Sequence, residues 1–332
     1  MTILGNDSAA VERAAQLIAG GGLVAFPTET VYGLGARADD DSAVAKIFAA
    51  KGRPADHPLI VHVESAAQAR VFASELPAVA ERLMAAHWPG PLTVIVTRAP
   101  QIAAAAAGGQ GTIGLRCPSH PVARALLAQT LALGVPGIAA PSANRFGRIS
   151  ATSVAHVIDE FGDEMPVLDG GDCEIGIESS IVDCSRGHPV LLRPGVLTRA
   201  QIEAVAGVRL TEPQADAPRA SGTLEAHYAP RAKLRVMSTA MLRSALEVLG
   251  ETPLPSRRAS TLKLAVYSRT VLPKPHLRHR AMPENPAQAA HELFAALREL
   301  DNAGVDLIWV EAPPDGPEWE GVRDRLQRAA AV

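Results

Sequence analysis

Aromatic residues are scarce in this chain, because Phe, Trp and Tyr together make up only 4% of its 332 residues. A hydrophobic core in such a protein must therefore be built mainly from Ala, Val, Leu and Ile. Cysteine is also rare, and Cys117, Cys173 and Cys184 are odd in number and form no CxxC pair. They predict free thiols in a reducing compartment and exclude a disulfide framework or a cysteine zinc site.

Targeting and membrane segments are missing as well. The N-terminal sequence has no basic region followed by an apolar run, so it does not read as a secretory signal. The apolar stretch 102–107 is far too short to span a bilayer. A formal net charge of −3 argues against a protein that mainly coats nucleic acid, although it does not exclude a local basic patch. We therefore expect a soluble, cytoplasmic protein.

Several motifs of well-known enzyme classes are absent. No GxxxxGK[ST] loop is present, and no ordered Ser, His and Asp set indicates a hydrolase. No HExxH or clustered His and Cys spacing supports a protein-bound catalytic zinc. We therefore predict no metal ion bound by protein side chains.

Helix and strand patterns alternate through the first two hundred residues. Ser8 is expected to cap a first helix, and Asp41 or Ser42 a second. Helical patterns cover Ala78–His87 and Pro121–Leu133. Short apolar or β-branched runs predict strands at Leu23–Phe26, Leu59–Val63, Leu92–Val96, Ile138–Ala140 and Ile181–Asp183. This alternation predicts an α/β domain with helices packed on a mixed sheet.

The amino-acid composition changes from Thr211 onward. A proline-rich, polar stretch without apolar period predicts a linker over 208–232, and it contains His227 and Tyr228. We expect domains at 1–207 and 233–332, joined by this linker. The second domain is predicted to be a small, Rossmann-like α/β unit with a parallel sheet. Its elements are strands Leu234–Met237, Leu262–Tyr267 and Val305–Val310, helices Pro286–Leu300 and Glu318–Ala331, and a loop Pro253–Thr261.

Polar residues follow the first predicted strand, in the segment FPTETVYGLG at 26–35. Thr30 and its neighbours supply hydroxyls and a carboxylate, while Gly33 and Gly35 allow a backbone to approach a ligand closely. The alternative is a polar turn whose side chains are satisfied by the backbone.

A basic segment, KGRPADHPL at 51–59, precedes the strand that carries His62. Lys51 offers a point charge and Arg53 a planar fork, a combination that suits a triphosphate. A solvated basic turn is the alternative for these two charges. His62, inside an apolar strand, could equally be a core histidine.

Two further regions are candidates. Arg116, at the end of TIGLRCP, could pair with a substrate carboxylate or brace a loop through an internal salt bridge. The segments APSANRFGRIS at 140–150 and GIESSIVD at 176–183 carry Ser and Asn residues suited to phosphate or ribose. Arg193-Pro-Gly195 follows them.

Taken together and in this order, these motifs resemble those of the YrdC-like threonylcarbamoyl-AMP synthases. The matching strings are FPTETVYGLGA, KGRPADHPLIVHV, TIGLRCP, APSAN with Ser150, GIESSIVD and LRPG, over roughly residues 8–205. His227-Tyr228-Ala229-Pro230 and the C-terminal sequence resemble the longer, two-domain branch of that family.

The resemblance implies a nucleotidyltransferase reaction and a set of site residues. L-threonine, bicarbonate and ATP would give threonylcarbamoyl-AMP and pyrophosphate, with Mg²⁺ accompanying ATP. The product would pass to a separate transferase that modifies the anticodon-adjacent adenosine of tRNA. Threonine contacts would fall on Thr30, His62, Arg116, Ala140 and Ser179. ATP contacts would fall on Lys51, Arg53, His57, Thr112, Ser142, Asn144, Ser150, Arg193 and Tyr228, of which Lys51, Arg53 and Arg193 would serve catalysis.

The chain departs from the usual family pattern at His57, where Asn is usual, at Phe146, where Ser is frequent, and at Ser180, where Thr is frequent.

The implied attack on the α-phosphate of ATP requires alignment of the substrates and stabilisation of charge more than it requires an enzyme nucleophile. Two other functions fit less well: a non-catalytic module that binds double-stranded RNA or tRNA, and a carbamoyl-transfer domain acting on another protein.

Overall fold

The computed structural model describes residues 3–215, 217–251, 263–273, 275 and 277–331. The chain forms two compact units. The first contains Met1–Phe146 and Ser150–Thr223, and the second contains Gly147–Ile149 and Leu224–Val332. The division between Thr223 and Leu224 lies inside the predicted 208–232 linker. The predicted loop Pro253–Thr261 lies outside the described residues.

The first unit is built on a 10-stranded mixed sheet of order β1-β8-β2-β3-β7-β4-β6-β5-β9-β10. Its strands are β1 Ile3–Gly5, β2 Val24–Phe26, β3 Gly33–Arg37, β4 Ile60–His62, β5 Leu92–Thr97, β6 Thr112–Arg116, β7 Ile138–Ala139, β8 Val167–Leu168, β9 Ser180–Asp183 and β10 Val190–Arg193. Its helices are α1 Ser8–Ala19, α2 Asp41–Lys51, α3 Ala66–Ala69, α4 Ala78–His87, α5 Pro121–Ala132, α6 Val154–Phe161 and α7 Arg199–Ala206. The predicted mixed α/β architecture is confirmed.

The helix caps differ by one residue from the prediction. The carboxylate of Asp7, and not Ser8, accepts a hydrogen bond from Ala10 N at 2.7 Å and caps α1. Asp40, and not Asp41 or Ser42, caps α2, accepting from Ser42 N and Ala43 N. An extended backbone just before the helix is what places a cap side chain over the first turn, and Asp7 and Asp40 have it.

The central strands β4, β5, β6 and β9 lie side by side, and each presents alternate residues to opposite faces. One face packs Val61, Val94 and Val182 into the main core. The other carries Ile60, Ile95 and Ile181, which form a smaller cluster with the linker residues Ala217 and Ala220. Part of the predicted linker therefore packs on one face of the sheet.

The second unit has a 4-stranded parallel sheet of order β11-β14-β12-β13. Its elements are β11 Lys233–Met237, α8 Thr239–Glu251, β12 Leu264–Ser268, β13 Arg278–Ala281, α9 Pro286–Asn302, β14 Leu307–Glu311, a 3₁₀ turn Pro317–Trp319 and α10 Glu320–Ala330. The parallel sheet is confirmed, but the prediction of three strands was wrong. Strand β13 was missed because Arg278, His279 and Arg280 give a polar edge strand no apolar period.

A buried carboxylate ties Gly147–Ile149 to the rest of the second unit. Asp301 accepts hydrogen bonds from Arg148 Nη2 at 3.2 Å and Arg231 Nε at 3.1 Å. Arg298 donates to the carbonyl oxygen of Ile149, and Ala229 N donates to that of Gly147 at 2.8 Å. These contacts explain why three residues from the middle of the chain belong to this unit.

The described residues contain no helix that is long and apolar enough to cross a membrane. All three cysteines are free, as predicted, and all three are buried. Burial raises the pKa of Cys184 to about 12, so its thiol is poorly suited to act as a nucleophile.

We predict that Glu311 makes the stability of the second unit dependent on acid pH. Burial by itself raises the pKa of this carboxyl, but hydrogen bonds from Thr270, Thr239 and the backbone N–H of Arg269 outweigh it and lower the pKa to about 2. The unfolded carboxyl takes its proton near 4.5. The stabilisation is therefore present above pH 4.5 and is lost as the pH falls from there to about 2.

Glu311→Gln should lower the free energy of unfolding at pH 7 by about 2 kcal/mol. Denaturant unfolding followed by tryptophan fluorescence at several pH values measures it. Glu284→Gln, at an exposed position, is the matched control. Equal pH dependence of the wild type and the Glu311 variant would contradict the prediction.

Candidate active site

The turn after β2 is held by its own hydroxyls. Thr28 Oγ1 donates to Val31 O at 2.6 Å and lies 2.9 Å from Thr30 Oγ1. Tyr32 donates to Gly171 O at 2.8 Å. A Cβ on Gly35 would lie 2.7 Å from the ring of Phe26, so this glycine is required for packing between strands. Packing against Phe26 therefore accounts for this glycine without a ligand, and close approach of a ligand to the backbone at Gly35 stays a prediction.

Arg116 lies at the end of β6 in a buried ion pair with Glu29. Its Nη2 is 2.6 Å from Glu29 Oε1, and both side chains are 4% exposed. Glu29 Oε2 also accepts from Ser119 N at 3.1 Å. Arg116 thus braces the turn after β2, which is one of its two predicted roles. Binding of a substrate carboxylate, the other role, stays a prediction.

His62 and Arg116 are neighbours in adjacent strands, because β4 and β6 pair in parallel with these two residues in register. Each has one buried polar atom without a hydrogen-bond partner among the described residues: Nδ1 of His62 and Nε of Arg116. Such orphaned atoms are rare in native proteins and call for an explanation. A small ligand with both donor and acceptor groups would satisfy them.

The protonation of His62 is fixed by its surroundings. Burial, and then the charge of Arg116, lower the pKa of this imidazole to about 3. His62 is therefore neutral near pH 7, with one ring nitrogen able to accept a hydrogen bond.

Ala140 lies directly after β7, and its N–H donates to Ile60 O at 2.9 Å. The backbone contact predicted for Ala140 would therefore fall to its carbonyl oxygen.

Lys51 ends α2 and is only 3% exposed, which excludes the alternative of a solvated basic turn. Its ammonium donates to Ser142 O at 2.6 Å and to the carbonyl oxygen of Asn144. Burial, and then the charge of Arg53, hold the pKa of Lys51 well below its usual range. The structure thus brings together Lys51, Ser142 and Asn144, as predicted, with the lysine organising the loop that carries the other two.

Arg53 is also buried, at 7% exposure, and its Nη2 donates to Pro58 O at 2.9 Å. Its guanidinium lies 5.5 Å from the ring centroid of Phe146. Phe146 in turn packs edge-on against His57, with ring centroids 5.3 Å apart. Burial and the charge of Arg53 lower the pKa of His57.

Ser150 and Glu178 form a second buried polar pair. The Ser150 hydroxyl donates to Glu178 Oε1. The negative charge of Glu178 also acts on Lys51, where it favours the charged ammonium. Glu178 is therefore part of the same cluster as the predicted ATP residues, although sequence reasoning did not single it out.

Arg193 and Ser179 are connected at the edge of β9. Arg193 Nε donates to Ser179 O at 3.0 Å, and Nη2 donates to Ser179 Oγ at 3.2 Å. Its Nη1 donates to Ser221 O at 2.7 Å. Ser179 Oγ also lies 2.8 Å from Thr93 Oγ1. The predicted threonine contact Ser179 and the predicted ATP contact Arg193 are thus directly bonded.

A cavity opens on this face of the sheet, and the space between its walls, including the part continuous with solvent, measures about 280 Å³. Thr112 is the predicted site residue that lines it, with Thr93, Ile60, Ile95, Gly114 and Ile181 from the strands. Arg219, Ala220 and Ser221 of the linker form one side. Arg219 pairs with Asp56 at 2.6 Å and exchanges backbone hydrogen bonds with the side chain of Gln110. The Arg219–Asp56 pair lies at the surface, where water and salt weaken an ion pair, so it adds little to the hydrogen bonds that hold the linker here.

Tyr228 belongs to the second unit, where it is fully buried. Its ring stacks on Phe294 with centroids 5.3 Å apart, and the Arg325 guanidinium lies 5.5 Å from it. Its φ of +62° is unusual for a residue with a side chain. The predicted contact of Tyr228 with nucleotide stays a prediction.

The described residues contain no group of three or more His, Cys, Asp or Glu that could hold a metal ion. Two contributors to the site, Thr93 and Glu178, were missed from the sequence. Thr93 is hidden inside an apolar strand, and Glu178 inside a serine-rich motif; Glu29 was noticed, but its partner Arg116 is far away in sequence.

Comparison with known proteins assigns the chain to a family. A family profile described as "Telomere recombination", of the Sua5, YciO and YrdC proteins, matches residues 16–195. A second, described as "Threonylcarbamoyl-AMP synthase, C-terminal domain", matches residues 197–331. The chain belongs to the Sua5/YrdC family.

Its two-domain form is shared with full-length family members. The threonylcarbamoyl-AMP synthase of Pyrococcus abyssi is 37% identical over 99% of this chain and 98% of its own length. That of Bacillus subtilis is 38% identical over 98% of this chain and 94% of its own. The crystal structure of P. abyssi Sua5 complexed with L-threonine superposes with a TM-score of 0.89 at 35% identity, covering 99% of this chain and 98% of that one.

Two departures from the Sua5/YrdC pattern, His57 and Phe146, contact each other and, through Phe146, Arg53. They therefore form one aromatic cluster that supports the guanidinium, and we predict that they act as a unit. His57→Asn and Phe146→Ser should each weaken ATP binding a few-fold, because each removes support from Arg53.

The double variant should lose less ATP affinity than the product of the two single fold-losses. This corresponds to a coupling free energy of about 0.5–1 kcal/mol between the two residues. Calorimetric titration with ATP measures this cycle, and His188→Asn, at an exposed histidine, is the control. Strictly multiplicative effects would show that the two residues act independently.

Proposed function

We propose that this protein is a threonylcarbamoyl-AMP synthase, which joins L-threonine, bicarbonate and ATP. The observation that carries the proposal is the pair of buried polar atoms, Arg116 Nε and His62 Nδ1, beside a cluster of buried cations. Full-length relatives bear this enzyme's name, and the related P. abyssi structure contains L-threonine.

The reaction requires that the enzyme hold its substrates in the correct positions relative to one another. The threonine amine attacks the carbon of bicarbonate, and loss of water leaves a carbamate. A carbamate oxygen then bonds to the α-phosphorus of ATP, the bond to the β-phosphate oxygen breaks, and pyrophosphate leaves. Charge builds on phosphate oxygens, and preorganised donors in a site shielded from water stabilise it.

The residues divide between the two substrates. We assign the threonine carboxylate to Arg116, whose fork suits it, and a polar group of the same substrate to neutral His62. The other residues assigned to threonine are Thr30, Ser179 and Ala140, the last through its carbonyl oxygen. Lys51, Arg53 and Arg193 supply positive charge to the triphosphate, with His57, Thr112, Ser142, Asn144 and Ser150 alongside.

Mg²⁺ enters, in this proposal, as a companion of ATP that the phosphates and water mainly hold. We also propose that the linker at 219–221 closes over bound substrate, since these residues form one side of the cavity and Ser221 O accepts from Arg193, a predicted ATP contact. The product would pass to a separate tRNA-modifying transferase, which protects a labile intermediate from water. Direct contact with tRNA would be weak.

The decisive experiment supplies the protein with MgATP, bicarbonate and L-threonine. Pyrophosphate should be released only when all three are present, and threonylcarbamoyl-AMP should be identified by mass spectrometry. Pyrophosphate release without threonine, or none at all, would refute the proposal. Salt-dependent tRNA binding without turnover would instead support an RNA-binding module. Turnover of carbamoyl phosphate would support carbamoyl transfer.

Arg116→Lys should raise the KM for threonine about tenfold or more and leave the KM for ATP nearly unchanged. Lysine keeps a positive charge opposite Glu29 but lacks the planar fork. Alanine is a poorer choice, because it would leave Glu29 buried and unpaired. Arg70→Lys is the control, since Arg70 forms an exposed ion pair with Glu81.

Arg53→Lys should have the opposite effect to Arg116→Lys: the KM for ATP should rise and the KM for threonine should stay unchanged.

An unchanged threonine KM in the Arg116 variant would show that Arg116 does not belong to the amino-acid site.

A further inference from the structure

Thr93 is a buried hydroxyl in an otherwise apolar strand. It lies in β5, is fully buried, and has Leu92 and Val94 as its chain neighbours. A hydroxyl in such a place costs free energy unless it makes a hydrogen bond. Thr93 makes one to a side chain, the 2.8 Å contact with Ser179 Oγ.

The position of Thr93 connects both halves of the site. In the sheet it stands opposite Arg116 on β6 and opposite Ile181 on β9. Thr93 is also one of the residues that line the open cavity on this face of the sheet. A Cβ on Gly114 would lie 3.4 Å from Thr93 Cγ2, so the glycine leaves the space beside this methyl group open.

The hydrogen-bonding capacity of Ser179 is limited. Its hydroxyl has one proton and two lone pairs. One lone pair accepts from Arg193 Nη2 at 3.2 Å. The contact with Thr93 takes either the proton or the second lone pair. Thr93 therefore decides whether Ser179 meets a ligand as a donor or as an acceptor.

We propose that Thr93 is a positioning residue for threonine recognition, which orients the Ser179 hydroxyl toward the amino-acid substrate. The proposal rests on the proposed function, because Ser179 is assigned there to threonine. Arg193 does not depend on Thr93 in the same way. It is held independently by the carbonyl oxygens of Ser179 and Ser221.

Thr93→Val tests this assignment, because it removes the hydroxyl and keeps the shape. We expect the KM for threonine to rise about tenfold, the range for one lost buried hydrogen bond, while the KM for ATP changes less than about twofold. Calorimetric titration with L-threonine alone should show the same loss. Thr93→Ser should restore the threonine KM to within about threefold of wild type.

Thr130→Val is the matched control, because Thr130 is equally buried but donates to Leu126 O and Leu127 O within α5. In a Ser179→Ala background, Thr93→Val should have no further effect on the threonine KM. Thr93→Ala, which cannot overpack the site, replaces the valine variant if that one does not fold.

An unchanged threonine KM in both hydroxyl-free variants would overturn the proposal. So would a serine variant as impaired as valine, or a full effect of Thr93→Val in the Ser179→Ala background. If the wild type itself forms no threonylcarbamoyl-AMP, the proposed function fails. Normal wild-type turnover with an unaffected valine variant rejects only the role of Thr93.

Discussion

The buried ion pair between Glu29 and Arg116 is the interaction on which the first unit's site depends. Charges are costly to remove from water, and a pair is tolerated inside a protein only when further hydrogen bonds satisfy it. Glu29 meets this condition through Ser119 N, whereas Arg116 keeps its Nε without a partner among the described residues. The pair thus fixes a guanidinium next to neutral His62 and leaves capacity for a carboxylate. Its cost in stability is consistent with a site selected for binding.

Lys51 shows the same logic with backbone dipoles in place of a carboxylate. Its ammonium is surrounded by the carbonyl oxygens of Ser142 and Asn144, and burial lowers its pKa. Binding of a triphosphate would bring negative charge close to Lys51 and favour the protonated form of its amine. Binding of the nucleotide and the charge of Lys51 are therefore expected to reinforce each other.

The sequence predicted what depends on local pattern and missed what depends on contacts made by folding. The helix Ala78–His87 was predicted with its observed bounds, because its apolar period and flanking prolines are local signals. The strand Gly33–Arg37 was not, since its glycines indicated a ligand loop while they serve the packing of Phe26. The buried state of Lys51 and Arg53 could not be read from their charges, which indicate a solvated turn unless the surrounding fold is known.

The candidate site combines rigid and adjustable parts in a way that suits its proposed chemistry. His62, Thr93 and Arg116 lie on paired strands, where backbone hydrogen bonds on both sides fix their positions. The linker residues 219–221, in contrast, lie outside the sheet, and Arg219 forms an exposed pair with Asp56. A small amino acid must be distinguished by fixed geometry, because it has few atoms to recognise. Pyrophosphate must leave after every turnover, and movement of a linker that lies outside the sheet can release it without disturbing the strands that select the amino acid.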